Sequence, residues 1–84
     1  MKLYEITEVK GVEQHQHYRG KHKNCACHIV YSKYYNRWYY CIFNRKMSSY
    51  SSLLAGNLYA SKDECAKACI KYIDRRIKEC LWGV

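Results

Sequence analysis

Imidazole and thiol side chains, the ligands that zinc prefers, are concentrated between positions 15 and 28 of this chain. These residues are His15, His17, His22, Cys25, Cys27 and His28. A zinc site held by His22, Cys25 and Cys27 is one interpretation, but zinc motifs place at least two residues between paired cysteines. Disulfide bonds are a second interpretation. Because buried thiols pack as small hydrophobic groups, we expect the six cysteines in the core and no metal or cofactor.

Catalytic chemistry has weaker support in the sequence. Glu13 lies close to His15 and His17, a combination that general acid–base catalysis can use. The sequence contains no glycine-rich phosphate loop, nucleophile elbow or catalytic carboxylate pair beside them. We therefore predict that the protein is not an enzyme.

The positive charge of the chain lies in one internal block. The net charge is +8, and residues 14–62 hold eight of the 15 Lys and Arg residues but none of the seven Asp and Glu residues. Eight of the ten tyrosines and Trp38 also lie there. Cations interleaved with aromatic rings suit a nucleic acid, because its phosphates attract cations and its bases stack on rings. The predicted contacts to RNA or DNA are Arg19, Lys21, Lys23, Lys33, Tyr35, Arg37, Tyr39, Arg45 and Lys46.

The histidines of this block add charge in mild acid. His15, His17 and His22 gain protons below about pH 6.5 if their pKa values are ordinary. Tighter polyanion binding at low pH is therefore expected if these residues are contacts.

The elements that must position these residues are strands followed by a helix. Alternation of side chains predicts strands over about 2–10, 25–34 and 37–45, with a loop over 14–24 and a short turn at 35–36. A serine-rich loop over 47–52 and a fourth short strand over 53–59 follow as further expectations. Ser61 and Glu64 form a capping box, which predicts a helix over about 62–81.

This order predicts a single α+β domain over residues 1–84. Its antiparallel sheet has three strands, or four with the short one, and the C-terminal helix packs on one face. Trp38, Tyr40 and Ile42 are predicted to pack on the helix, while Arg37, Tyr39 and Arg45 face outward. A shift of one residue in register would exchange the two sets.

The hydropathy of the chain bears on its location. No run approaches the roughly 18 apolar residues of a membrane span, and the first residues lack the apolar stretch of a signal peptide. We expect a cytoplasmic protein with no membrane partner, with a mature secreted form as the alternative.

Part of the sequence resembles the three-stranded DNA-binding domains of the AP2 type and the arm-binding domains of phage integrases. The matching segments are residues 37–40 (RWYY), 54–61 (LAGNLYAS) and 64–69 (ECAKAC). The resemblance implies binding of double-stranded DNA by the sheet face. The first strand and the histidine-rich segment have no counterpart in those domains.

A second, partial resemblance is to Kunitz-type inhibitors, in residues 37–41 (RWYYC) and 61–69 (SKDECAKAC). The chain lacks that family's Tyr-Gly-Gly-Cys segment and differs in cysteine spacing.

In size, charge and pattern the chain is most similar to accessory proteins of phages and mobile elements. This implies a regulator or counter-defence factor that binds nucleic acid. The alternative is a protein-binding inhibitor of a host nuclease or ribonucleoprotein. In one form of this alternative, the inhibitor binds the nuclease together with the RNA of that nuclease.

Overall fold

The computed structural model describes residues 2–10, 13–44 and 49–78, with the side chains of residues 16–44 and 49–78. Its elements are β1 (Lys2–Lys10), β2 (Glu13–His22), β3 (Cys25–Ser32), β4 (Arg37–Asn44), β5 (Tyr50–Ser51) and α1 (Lys62–Lys78). The strands form one antiparallel sheet in sequence order, and α1 packs over β3 and β4. The predicted α+β class, with an antiparallel sheet and one C-terminal helix on one face, is confirmed. The sheet has four long strands and a fifth of two residues.

The loop predicted over 14–24 is wrong, because these residues form most of β2 and the turn after it. His22 pairs with Cys25, and the two residues between them, Lys23 and Asn24, have φ of 48° and 65°. Two positive φ values in a two-residue connection give the hairpin turn whose twist matches that of the flanking strands. β2 is polar on both faces, so it lacks the apolar alternation by which strands are recognised.

The hairpin predicted from the second and third predicted strands is formed by β3 and β4. β3 ends at Ser32, two residues earlier than predicted, so the turn comprises residues 33–36 and not 35–36 alone. Asn36 has a φ of 58° at its end. Asparagine tolerates this left-handed conformation better than most residues, which explains its place in the turn.

The strand predicted over 53–59 is wrong in extent. Residues 52–56 form a turn in which Gly56 has a φ of 82°, and only Tyr59 returns to the sheet. Tyr59 and Trp38 exchange two backbone hydrogen bonds of 2.8 Å. The predicted serine-rich loop contains β5, while its residues 47 and 48 lie outside the described residues.

The helix begins at Lys62, as the capping box predicts. The backbone N–H of Glu64 donates to Ser61 Oγ at 3.2 Å, which satisfies one of the amides that a helix start leaves unpaired. The predicted end at residue 81 lies outside the described residues. No helix in the described part of the chain is long and apolar enough to cross a membrane.

The core lies between α1 and the inner face of β3 and β4. Its buried members are Cys25, Cys27, Ile29, Tyr40, Ile42, Cys65, Cys69 and Ile73. The four core cysteines are fully buried free thiols, which confirms their predicted packing role. Cys41 is only half-buried and lies on the other face, so its predicted core position is wrong. Cys80 lies outside the described residues.

The inner face also confirms the predicted register of β4. Tyr40 and Ile42 are buried, and Trp38 packs against the same cluster. Because side chains alternate along a strand, Arg37, Tyr39, Cys41 and Phe43 belong to the opposite face.

Candidate nucleic-acid interface

The sheet face opposite α1 carries a mixed set of cations, rings and small residues on its three central strands. We call this surface the open face, and its described side chains on β2, β3 and β4 are His17, Arg19, Lys21, Ala26, His28, Val30, Ser32, Arg37, Tyr39, Cys41 and Phe43. None of these described side chains is acidic. The three acidic side chains that the structure describes, Asp63, Glu64 and Asp74, all lie on α1.

The strand register arranges the open face in rows that run across the sheet. One row joins Lys21, Ala26 and Phe43. Neighbouring strands lie about 4.8 Å apart, so the Cα atoms of Lys21 and Phe43 are separated by about 10 Å, with only the methyl group of Ala26 between them. In this row the smallest side chain of the open face therefore lies between a cation and a ring, and we call this place the slot.

The next row joins Arg19, His28 and Cys41. His28 contacts the ring of Phe43 at right angles, with 5.4 Å between the centroids. Phe43 itself is 49% exposed and is the second-last residue of β4. A large ring that the fold leaves half in solvent on this face is an available stacking surface.

His17 and His28 form a hydrogen-bonded pair on the open face. His17 Nε2 and His28 Nδ1 are 2.7 Å apart, and their rings are tilted by 51°. Burial, with the nearby His17 and Arg19, lowers the pKa of His28 below its usual value of 6.5. One ring must accept the hydrogen bond, so the pair cannot hold it with both rings fully protonated.

Four of the predicted contact residues lie on the open face: Arg19 and Lys21 on β2, and Arg37 and Tyr39 on β4. Arg19, Lys21 and Arg37 are exposed, whereas Tyr39 is half-buried. Burial, with Cys41 nearby, raises the pKa of Tyr39, so its hydroxyl keeps the proton with which it can donate to a phosphate.

Lys33 and Tyr35 lie apart from this group, in the turn between β3 and β4. Tyr35 is 50% exposed and packs edge-on against Tyr34, which is 87% exposed. The backbone N–H of Tyr35 donates to Ser32 Oγ at 3.3 Å. The turn therefore presents one cation and two rings at one end of the open face.

Lys23 points toward the helix instead of the open face. Its Nζ lies 2.9 Å from Asp74 Oδ1, and His22 Nε2 lies 2.9 Å from the same oxygen. Hydrogen bonds from Lys23 and His22 lower the pKa of Asp74. The ammonium of Lys23 is thus engaged with a carboxylate on α1. Arg45 and Lys46, the last two predicted contacts, lie outside the described residues.

The residues proposed as zinc ligands have other surroundings in this fold. Cys25 and Cys27 are fully buried in the core, where Asn44 donates a hydrogen bond to Cys25 Sγ at 3.2 Å. His22 is held by Asp74 at the rim. Within the described residues, no group of three or more His, Cys, Asp or Glu side chains is placed to hold a metal ion.

Three residues of the open face that carry rings were not among the predicted contacts: His17, His28 and Phe43. The signal for Phe43 was present, since it follows Arg37 and Tyr39 at even spacing on one strand face. The pairing of His17 with His28 depends on β2 lying beside β3. Because residues 14–24 were predicted to form a loop, this pairing could not be anticipated from the sequence.

Comparison of the chain with protein-family models, with curated proteins and with solved structures finds no match.

Proposed function

We propose that the protein binds nucleic acid, without catalysis, through the open face of its sheet. The observation that supports this is the composition of that face: Arg19, Lys21 and Arg37 share it with Tyr39 and Phe43, and no described side chain among them is acidic. Phosphates bind cations and bases stack on rings, so one surface serves both parts of the ligand.

The charge of the described contacts sets the expected salt dependence. Arg19, Lys21 and Arg37, with Lys33 in the adjoining turn, offer four cations to the phosphates. Four neutralised phosphates correspond to a log–log slope of affinity against salt of about −3 to −4. A titration of labelled oligonucleotides across salt concentrations measures this slope directly.

Charge reversal at two of these positions tests the location of the site. We expect the double variant Arg19→Glu with Arg37→Glu to lose at least about tenfold in affinity and to reduce the salt slope by about 2. The matched control is Lys67→Glu with Lys71→Glu, which makes the same charge change at exposed positions of α1. Equal losses in both double variants would mean that net charge, and not the open face, governs binding.

The same titration also tests the alternative hypothesis, in which the partner of the open face is a protein. If no RNA or DNA binds with a salt-dependent affinity, the basic open face is better explained as a dock for the acidic surface of a host nuclease or ribonucleoprotein. In either version the proposed biological role is that of a phage-type regulator or counter-defence factor. The proposed compartment is the host cytoplasm, whose reducing conditions maintain free thiols such as those of the described cysteines.

A further inference from the structure

We infer that the ligand of the open face is a single-stranded nucleic acid, with one base stacked on Phe43 and its backbone held by the cations of β2. This inference rests on the proposed nucleic-acid binding and specifies the form of the ligand. Three features support it: the width of the sheet, the exposure of Phe43 and the slot beside it.

The sheet is too wide for the groove that a duplex offers. The four long strands give three intervals of about 4.8 Å, or about 14 Å across the sheet, and β5 adds a fourth interval beside Cys41 and Ile42. The major groove of B-form DNA is about 12 Å wide and admits a helix or a two-stranded ribbon. β1 is nine residues long and pairs with β2 along its whole length, so it widens the sheet on that side of the open face.

The apolar part of the open face is chemically unsuited to a duplex lying across it. A duplex presents phosphates and sugars on its outside, and the faces of its bases are covered by neighbouring bases. Phe43, Ala26 and Val30 offer nothing to a phosphate. A single strand can turn its bases toward these apolar groups and keep its phosphates at the cationic positions.

We place the stacked base in the slot between Lys21 and Phe43. Ala26 is the smallest side chain on the open face, and it lies between the two in the same row. A base laid against the exposed part of the Phe43 ring lies above Ala26, and its phosphate comes within reach of Lys21 or Arg19. His28, set at right angles to Phe43, borders this slot on the next row.

The test compares single strands with duplexes. Fluorescence anisotropy is measured with labelled oligonucleotides of about 12 nucleotides, within the usual site size of such platforms. The probes are single-stranded DNA, single-stranded RNA of the same sequence, and their duplexes. We expect both single strands, or one of them, to bind at least about tenfold more tightly than either duplex at equal salt.

The decisive variant is Phe43→Leu, with Phe43→Trp as its matched control. Leucine keeps an apolar side chain but removes the stacking ring, so single-strand affinity is expected to fall by about 5- to 150-fold, the range for one stacked base. Tryptophan keeps a ring and is expected to retain the affinity. A loss in both variants would indicate disturbed packing and would overturn the role assigned to Phe43.

The outcomes separate this inference from the proposed function. Tight duplex binding that Arg19→Glu with Arg37→Glu abolishes, and that Phe43→Leu does not change, overturns the single-strand inference and leaves the proposed function intact. Absence of salt-dependent binding to all four probes overturns both.

Discussion

At the scale of single residues, the behaviour of the open face depends on which side chains can change charge near the ligand. His28 lies in the row between Arg19 and Cys41 and hydrogen-bonds to His17. Its pKa is lowered because it is partly buried and has His17 and Arg19 beside it. The free protein therefore holds His28 neutral at physiological pH, and a bound phosphate favours its protonation.

Affinity for nucleic acid is expected to rise as the pH falls below about 6.5, because binding then takes up a proton at His28. A rise of up to one unit in the pKa of His28 on binding corresponds to a gain in affinity of up to about tenfold in acid. Little change is expected between pH 8 and pH 7. Anisotropy titrations at constant salt measure the profile, and His28→Gln should flatten it.

A second histidine variant tests whether His28 is the residue that causes the pH dependence. His22 is held by Asp74 on the helix side, so His22→Gln is the matched control and should keep the profile of the parent protein. A profile that His22→Gln flattens, and that His28→Gln leaves unchanged, would remove His28 from the interface.

At the scale of elements, the outer edge of β4 is completed by two separate pieces of chain, residues 50–52 and Tyr59. β5 pairs with Cys41 and Ile42, Ser52 bonds to Tyr40, and Tyr59 bonds to Trp38. The backbone N–H of Tyr40 donates to Ser52 Oγ at 2.9 Å, while the N–H of Ser52 donates to the carbonyl of Tyr40 at 2.9 Å. A serine side chain thus replaces a backbone acceptor where the chain leaves the sheet.

Replacement of this side chain should be costly. Ser52 is fully buried, and Ser52→Ala leaves the N–H of Tyr40 without its acceptor, which costs about 1–3 kcal/mol of unfolding free energy. Ser49 is exposed in the same segment, so Ser49→Ala is the control and should change stability by less than about 0.5 kcal/mol. Urea unfolding followed by circular dichroism compares the two. Equal midpoints would show that the Ser52 hydroxyl does not stabilise β4.

At the scale of the whole molecule, the fold separates two populations of thiols. Cys25, Cys27, Cys65 and Cys69 are fully buried between sheet and helix, while Cys41 is half-buried on the open face. Burial raises the pKa of Cys65 to about 12, so almost none of this thiol is ionised at neutral pH. Because the thiolate is the reactive form, burial in the core also protects Cys65 chemically.

Limited treatment of the native protein with an alkylating agent should therefore modify Cys41 well before Cys65. The measurement is peptide mapping by mass spectrometry in a Cys80→Ser background, which removes the cysteine outside the described residues. Unfolding in urea should make the two sites react at similar rates. Equal reaction of Cys65 and Cys41 under native conditions would contradict the burial of Cys65.

The sequence by itself determined the features that depend on neighbouring residues. The start of α1 follows from Ser61 and Glu64, whose capping interaction is local. The faces of β4 follow from strict alternation, which separates Tyr40 and Ile42 from Arg37 and Tyr39. The segregation of charge is likewise a property of composition and order.

Only the tertiary structure decided what depends on pairing between distant segments. β2 has no apolar alternation of its own, and it becomes a strand because β1 and β3 satisfy its backbone on both sides. That pairing brings His17 to His28 and Lys21 into the row of Phe43, while the turn and α1 bring Lys23 to Asp74. The reason is that strand register is set by long-range hydrogen bonding, which no local pattern of residues records.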